Sequence, residues 1–240
     1  IFLSLKAGGY HRALGVSIFT QGKTPPGFVE RRVGGILVNN EAYLRVRQVA
    51  ALYLSYFSPR NLFIEGDYDK QRSVENASVF YAWMLPFLVL GLWHALKQRS
   101  TSMKLLLAWM TLSPIPAALT ADPFHTYRSL LLYMPLSFFI ALGLAKGFEL
   151  IKGYKKLFLT GIGFISAVSL LSFLFNYFIL TQATRARAWD YGYREIVESV
   201  SALPGEPHIV VDDPWTESYI HFLFFGRVNP RTYQGEVSRL

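Results

Sequence analysis

The chain has 240 residues, 52% hydrophobic and 16% aromatic, with a formal net charge of +8 and no cysteine. Without cysteine, a disulfide framework and a thiolate metal site are excluded. Lysine and arginine are scattered rather than gathered in a basic stripe, which argues against nucleic acid as a partner and fits loops at a membrane surface.

The hydrophobic share is ordinary for a soluble domain, but its distribution is not: it gathers between about 79 and 181. Residues 1–5 read as the stub of an apolar segment, and the Gly- and Pro-rich stretch 6–38 reads as an irregular loop. The chain opens at Ile1 and closes inside a patterned region, so it reads as an internal or C-terminal piece of a longer protein. Asn39 or Asn40 is placed to cap a helix reaching about Phe57. Its apolar Leu44, Val46, Val49, Leu52, Tyr53 and Tyr56 leave Arg45 and Arg47 toward the polar side, an interfacial pattern. Residues 58–73, SPRNLFIEGDYDKQRS, hold a short apolar core between turn residues and charges.

Four segments then meet the requirement of roughly 20 mostly apolar residues for a membrane-spanning helix: 79–96, 103–121, 127–148 and 157–181. Their prolines, Pro86, Pro114, Pro116 and Pro135, are tolerated in spans whose neighbours satisfy the freed carbonyls. Ser113-Pro114-Ile115-Pro116 predicts a kink late in the second span. The loop LKQRSTSMK and the loop KGFELIKGYKK are rich in Lys and Arg, whereas the loop between them, DPFHTYRS at 122–129, has one acid and one arginine. Short basic loops stay in the cytoplasm. That places 122–129, residues 1–78 and the tail 182–240 outside, and divides the chain at 78/79 and 181/182.

In the tail, 189–203 has Ile196, Val197, Val200 and Leu203 on one helical face. Pro204-Gly205 ends it, 208–211 reads as a strand, and Asp213-Pro214 starts a helix with Trp215, Tyr219, Phe222 and Leu223 inward. A second strand around 228–233 would complete a small α/β unit. The expected fold is thus mainly α: a polytopic membrane protein with four transmembrane helices, an outer N-terminal loop and helix, and a small outer α/β unit.

Three stretches carry a family resemblance: YLSYFSPRNLFIEGD at 53–67 with the following YAWMLPFLVLGL, SPIPAALTADPFHTYRSLLLYMP at 113–135, and WDYGYREIVESV at 189–200. Together they resemble the C-terminal half of bacterial membrane glycosyltransferases of the GT-C type, in the protein O-mannosyltransferase and aminoarabinose transferase superfamily. The resemblance implies an integral enzyme of the bacterial cytoplasmic membrane. It would pass a sugar from a polyprenyl-phosphate donor to a lipid, glycan or protein acceptor outside. It also implies that the catalytic acid, and a divalent metal where one is used, belong to a first outer loop upstream of these residues. No cofactor is then expected within this chain.

A lipid phosphate sits at headgroup depth, so its site needs cations at the outer interface. Arg128 and His125 lie there, and arginine binds phosphate bidentately. Tyr127 stands beside them, and in 58–73 Arg72 is a further phosphate candidate. Glu65 and Asp67 are candidates to orient an acceptor or hold a metal. The plainer reading has Arg128 reaching lipid headgroups, Asp122 capping the third span, Tyr127 in an aromatic belt, and Glu65 and Asp67 forming turns. Asp212-Asp213 precedes a proline as helix caps do, and the five histidines show no zinc spacing. Two other classes stay open: a lipid-carrier or polysaccharide transporter, and a non-catalytic membrane scaffold. No span has a charged residue near its centre, which weighs against ion-coupled transport.

Overall fold

The computed structural model describes residues 41–98, 100–204 and 218–237. The chain divides into two compact units, 1–176 and 177–240. Among the described residues the regular elements are all helical.

The first unit opens with α1, Glu41–Ser55, where the periodicity places it. Leu52 is buried on its inner side, while Val46 and Leu54 remain exposed. Tyr53 donates its hydroxyl hydrogen to the carbonyl of Thr111 at 2.8 Å, so α1 is tied to the helical unit rather than lying free. After a turn, Asn61–Glu65 forms a π-helical turn that buries Leu62 and Phe63. This is the short apolar core read in 58–73. Gly66 ends it at φ 74°, and a Cβ there would stand 2.9 Å from the carbonyl oxygen of Ala77; only glycine fits both conditions.

Helix α2 is Leu85–Gln98, entered through a 3-10 turn at Ala82–Met84. Its second residue, Pro86, occupies a position where the missing N–H has no intrahelical partner to lose. Helix α3, Thr101–Leu112, is capped by Ser100, whose Oγ accepts from the Met103 N–H. It stops at the predicted kink, and Ser113-Pro114 leads into the single turn of α4, Ile115–Ala118. Helix α5, Leu130–Leu150, keeps Pro135 inside it, and α6 is Lys155–Phe175.

Among the described residues two helical stretches are long and apolar enough to cross a membrane, Leu130–Leu150 and the run Lys155–Trp189. They match the third and fourth expected spans. The first two are shorter as formed: 14 and 12 helical residues rise about 21 and 18 Å at 1.5 Å each. The extended entry before Ala82 and the break at Pro114 account for the difference. Along α6 the large side chains Leu157, Phe164, Leu170 and Leu171 are exposed and Ser169 is its buried residue. A core helix of a soluble fold would cover such a surface; lipid is the solvent that suits it.

The tightest helix contact joins α2 to α5 at Gly91 and Gly143. A Cβ on Gly91 would lie 1.8 Å from the Phe139 carbonyl oxygen, and one on Gly143 would lie 1.8 Å from that of Phe87. Small residues at such crossings let backbones approach where no hydrophobic effect drives helices together. Ser169 on α6 accepts from Trp83 Nε1 at 3.1 Å through its hydroxyl and from Tyr81 at 2.8 Å through its carbonyl.

The second unit holds α7, Thr181–Arg185, a 3-10 turn at Ala186–Trp189, and α8, Tyr193–Ser201. It also holds α9, Ser218–Phe225, and α10, Pro230–Val237. Tyr193 and Val197 are the buried residues of α8, whereas Ile196 and Leu203, expected on one face with Val197, are exposed. Tyr193 stacks on His221 with ring centroids 4.4 Å apart, and this contact sets the face of α8. The expected strand around 228–233 is corrected: Pro230 opens a helix there, as proline commonly does at a first helical position. The other expected strand, 208–211, and Asp212-Asp213 lie outside the described residues. The α/β unit is therefore replaced by helices among the described residues.

Candidate functional site

The turn 122–129 is held in shape by the residues around it. Ser129 is fully buried, and its Oγ donates to the His125 carbonyl at 3.0 Å and shares a hydrogen bond with the Tyr133 hydroxyl at 2.8 Å. The His125 N–H donates to the hydroxyl of the buried Tyr56 at 3.2 Å. Phe124, buried against the Tyr56 ring at 5.8 Å, has φ 47°. A bulky residue in the left-handed region costs on the order of 1–3 kcal/mol and persists only where its surroundings fix it.

Two segments singled out from the sequence, 58–73 and 122–129, meet here through Asp67. Its side chain is 0% exposed and accepts five hydrogen bonds. They come from the Thr126 N–H (3.0 Å) and hydroxyl (2.9 Å), the Asp69 N–H (3.0 Å), and Arg72 Nε (3.0 Å) and Nη2 (3.3 Å). Burial pushes the Asp67 carboxyl up, but the donors from Arg72, Thr126 and Asp69 outweigh it and hold the group below the usual carboxylate range. Asp67 is thus a clasp between residues 59 apart in sequence. Its lone pairs are taken up by that task.

Arg72 is spent in the same clasp. Its side chain is 13% exposed; Nε and Nη2 go to Asp67, and Nη1 goes to Asp69 at 3.0 Å. Every guanidinium nitrogen is committed to a carboxylate. Arg128 differs. Its Nη1 donates to Asp122 Oδ2 at 3.0 Å, with the two side chains 30% and 37% exposed. Nε and Nη2 of Arg128 hold no partner among the described residues. Asp122 therefore pairs with Arg128 instead of capping the following helix, which begins at Leu130 after Ser129.

His125 is influenced by the charges of both pairs. Its Nδ1 accepts, at 3.4 Å, from the Arg128 N–H, which leaves the proton of the neutral ring on Nε2. Burial lowers its pKa, and the charges of Arg72 and Arg128 lower it further, against Asp122 and Asp67. The ring is neutral at pH 7 and offers Nε2–H as a donor. Tyr127 is exposed, with its ring 6.2 Å from that of His125. Glu65 stands apart: it pairs with Arg60 at 2.6 Å on the surface, outside this cluster.

Of the six residues singled out from the sequence, Asp67, Arg72, His125, Tyr127 and Arg128 converge and Glu65 does not. Thr126, Tyr56 and Asp69 join them without having been foreseen. Asp69 sits three residues from Arg72, a readable spacing; the contacts of Thr126 and Tyr56 span 59 and 69 residues and leave no local pattern. Among the described residues no group of three His, Asp or Glu side chains is arranged to hold a metal ion. A separate cleft of about 990 Å³ in the second unit is lined by Tyr177, Phe178, Trp189 and Tyr191 with Gln182, an aromatic setting common at membrane interfaces.

The chain matches no protein-family model, no curated protein and no solved structure.

Proposed function

We propose that the chain works in a membrane glycosyltransferase of the GT-C type, taking a sugar from a polyprenyl-phosphate donor and passing it to an acceptor on the outer side of a bacterial membrane. The observation that supports this most is Arg128: a guanidinium with two nitrogens uncommitted among the described residues, in a hydrogen-bonded turn between apolar segments. An anionic headgroup above an apolar tail has the matching chemistry. His125 Nε2–H adds a neutral donor, and Tyr127 an exposed ring at the same turn. Arg72 and Asp67 position this turn, while the catalytic acid is assigned to the first outer loop that the family resemblance implies.

In this reading all four apolar segments span. The turn before α2 and the turn after α3 extend them toward the roughly 20 residues a crossing requires. No Asp, Glu, Lys or Arg falls between 85 and 96 or between 105 and 121. Lys97 lies 4.3 Å from the centroid of the Trp93 ring, the placement of a snorkelling cation at an inner boundary.

The experiment is sugar transfer by the full-length protein in vesicles, from an undecaprenyl-phosphate-linked sugar. Arg128→Ala should lower donor affinity about tenfold or more, the worth of a charge-assisted hydrogen bond. Transfer with unchanged donor affinity would remove the assignment.

A further inference from the structure

We infer that Asp122 is a built-in competitor for the phosphate at Arg128: its carboxylate engages the guanidinium, and an incoming phosphate group has to displace it. This rests on Arg128 being the phosphate contact and adds how that contact is regulated.

The balance of charge leads there. Three carboxylates, those of Asp67, Asp69 and Asp122, stand against two guanidinium groups, those of Arg72 and Arg128. His125 contributes no charge at pH 7 because burial and the neighbouring arginines hold it neutral. Among the described residues joined in these pairs, positive charge is not in excess to draw an anion. One of the three acids has to yield.

Asp67 is closed to solvent and has five donors. Asp69 binds Arg72 Nη1 and also accepts from the Gln71 N–H at 2.9 Å. Asp122 alone among them is held by a single side-chain contact, at 37% exposure, so water can take it up as soon as it turns away. A phosphate offers two oxygens in the spacing of the guanidinium fork, where Asp122 engages only Nη1. Even a phosphate seated on Nε and Nη2 would stand beside the Asp122 carboxylate, and two like charges at that range oppose one another. Displacement relieves both conflicts. The empty-handed arginine is thereby kept paired, and soluble anions of weak affinity are kept off it.

The test titrates the full-length protein in detergent micelles with farnesyl phosphate, and separately with inorganic phosphate, by calorimetry. Asp122→Asn should tighten both about two- to fivefold, the range expected when an exposed ion pair is removed. Asp122→Ser is a second variant that should do the same. Tail-dependent affinity marks a lipid headgroup as the natural source, and equal affinity marks free phosphate; competition by Asp122 is predicted in both arms. In an Arg128→Ala background, Asp122→Asn should have no effect on binding. If Arg128→Ala weakens binding while both Asp122 variants leave it unchanged or weaker, the competitor role is overturned and the phosphate assignment stands. If Arg128→Ala itself changes nothing, the phosphate assignment falls and takes the competitor with it.

Discussion

Two acid–arginine pairs lie near one another in the first unit, and they differ in what they leave over. Asp67 is closed to water and Arg72 largely so, and each is committed to several partners. Asp122 and Arg128 share one contact in partial exposure, and two guanidinium nitrogens have no partner among the described residues. The residue types are the same; burial and the number of spent donors separate a clasp from a contact. Arg72, which the sequence also offers as a phosphate contact, thereby takes the structural part.

The comparison is broken most severely at Asp67. Asp67→Ala leaves Arg72 buried beside Asp69 alone and frees Thr126, and should cost about 3–5 kcal/mol, the range for removing one partner of a buried pair. Thermal unfolding of the full-length protein in detergent measures it. A change of melting temperature no larger than that of a surface variant would mean that the clasp is not structural. Acid should open the same clasp. The Asp67 pKa is held below its ordinary value of 3.8, so its contribution is complete above about pH 3.8 and is lost as pH falls through the depressed folded value. The folded His125 also sits below its ordinary 6.5; the unfolded chain takes up that proton first, so stability begins to fall below about pH 6.5. A His125→Gln variant should lose this earlier phase while keeping the later one.

A smaller effect is expected at Thr126. Thr126→Val removes the hydroxyl donor to Asp67 and keeps the N–H donor, for a loss of about 1 kcal/mol in the same unfolding assay. Smallest is the stability effect of Arg128→Ala, within about 1 kcal/mol because the pair is exposed. The orientation has its own check: a cysteine in place of the exposed Tyr127 should label from outside and one at Ser102 from inside. Labelling of both from one side would refute the assigned topology.

The parts of the fold that were legible are those with a local cause. Apolar run length gave α5 and α6, the Ser113-Pro114 break gave the end of α3, and the spacing of Leu52 and Tyr56 gave α1. The helix at 230–237 was missed because Val228 and Tyr233 suggest a strand, while Pro230 fixes a helical start. The site was half legible. Charge in an otherwise apolar stretch pointed to Arg128 and His125, but which arginine is spent depends on Thr126 meeting Asp67, and no periodicity encodes a contact of that separation.

The central claim is that Arg128, and not the clasped Arg72, receives the anion. Calorimetric titration of full-length Arg128→Ala with farnesyl phosphate, paired with its melting temperature, tests it most directly. Affinity at least about tenfold weaker is expected with the melting temperature nearly unchanged; affinity equal to that of the parent protein would rule out Arg128 as the phosphate contact.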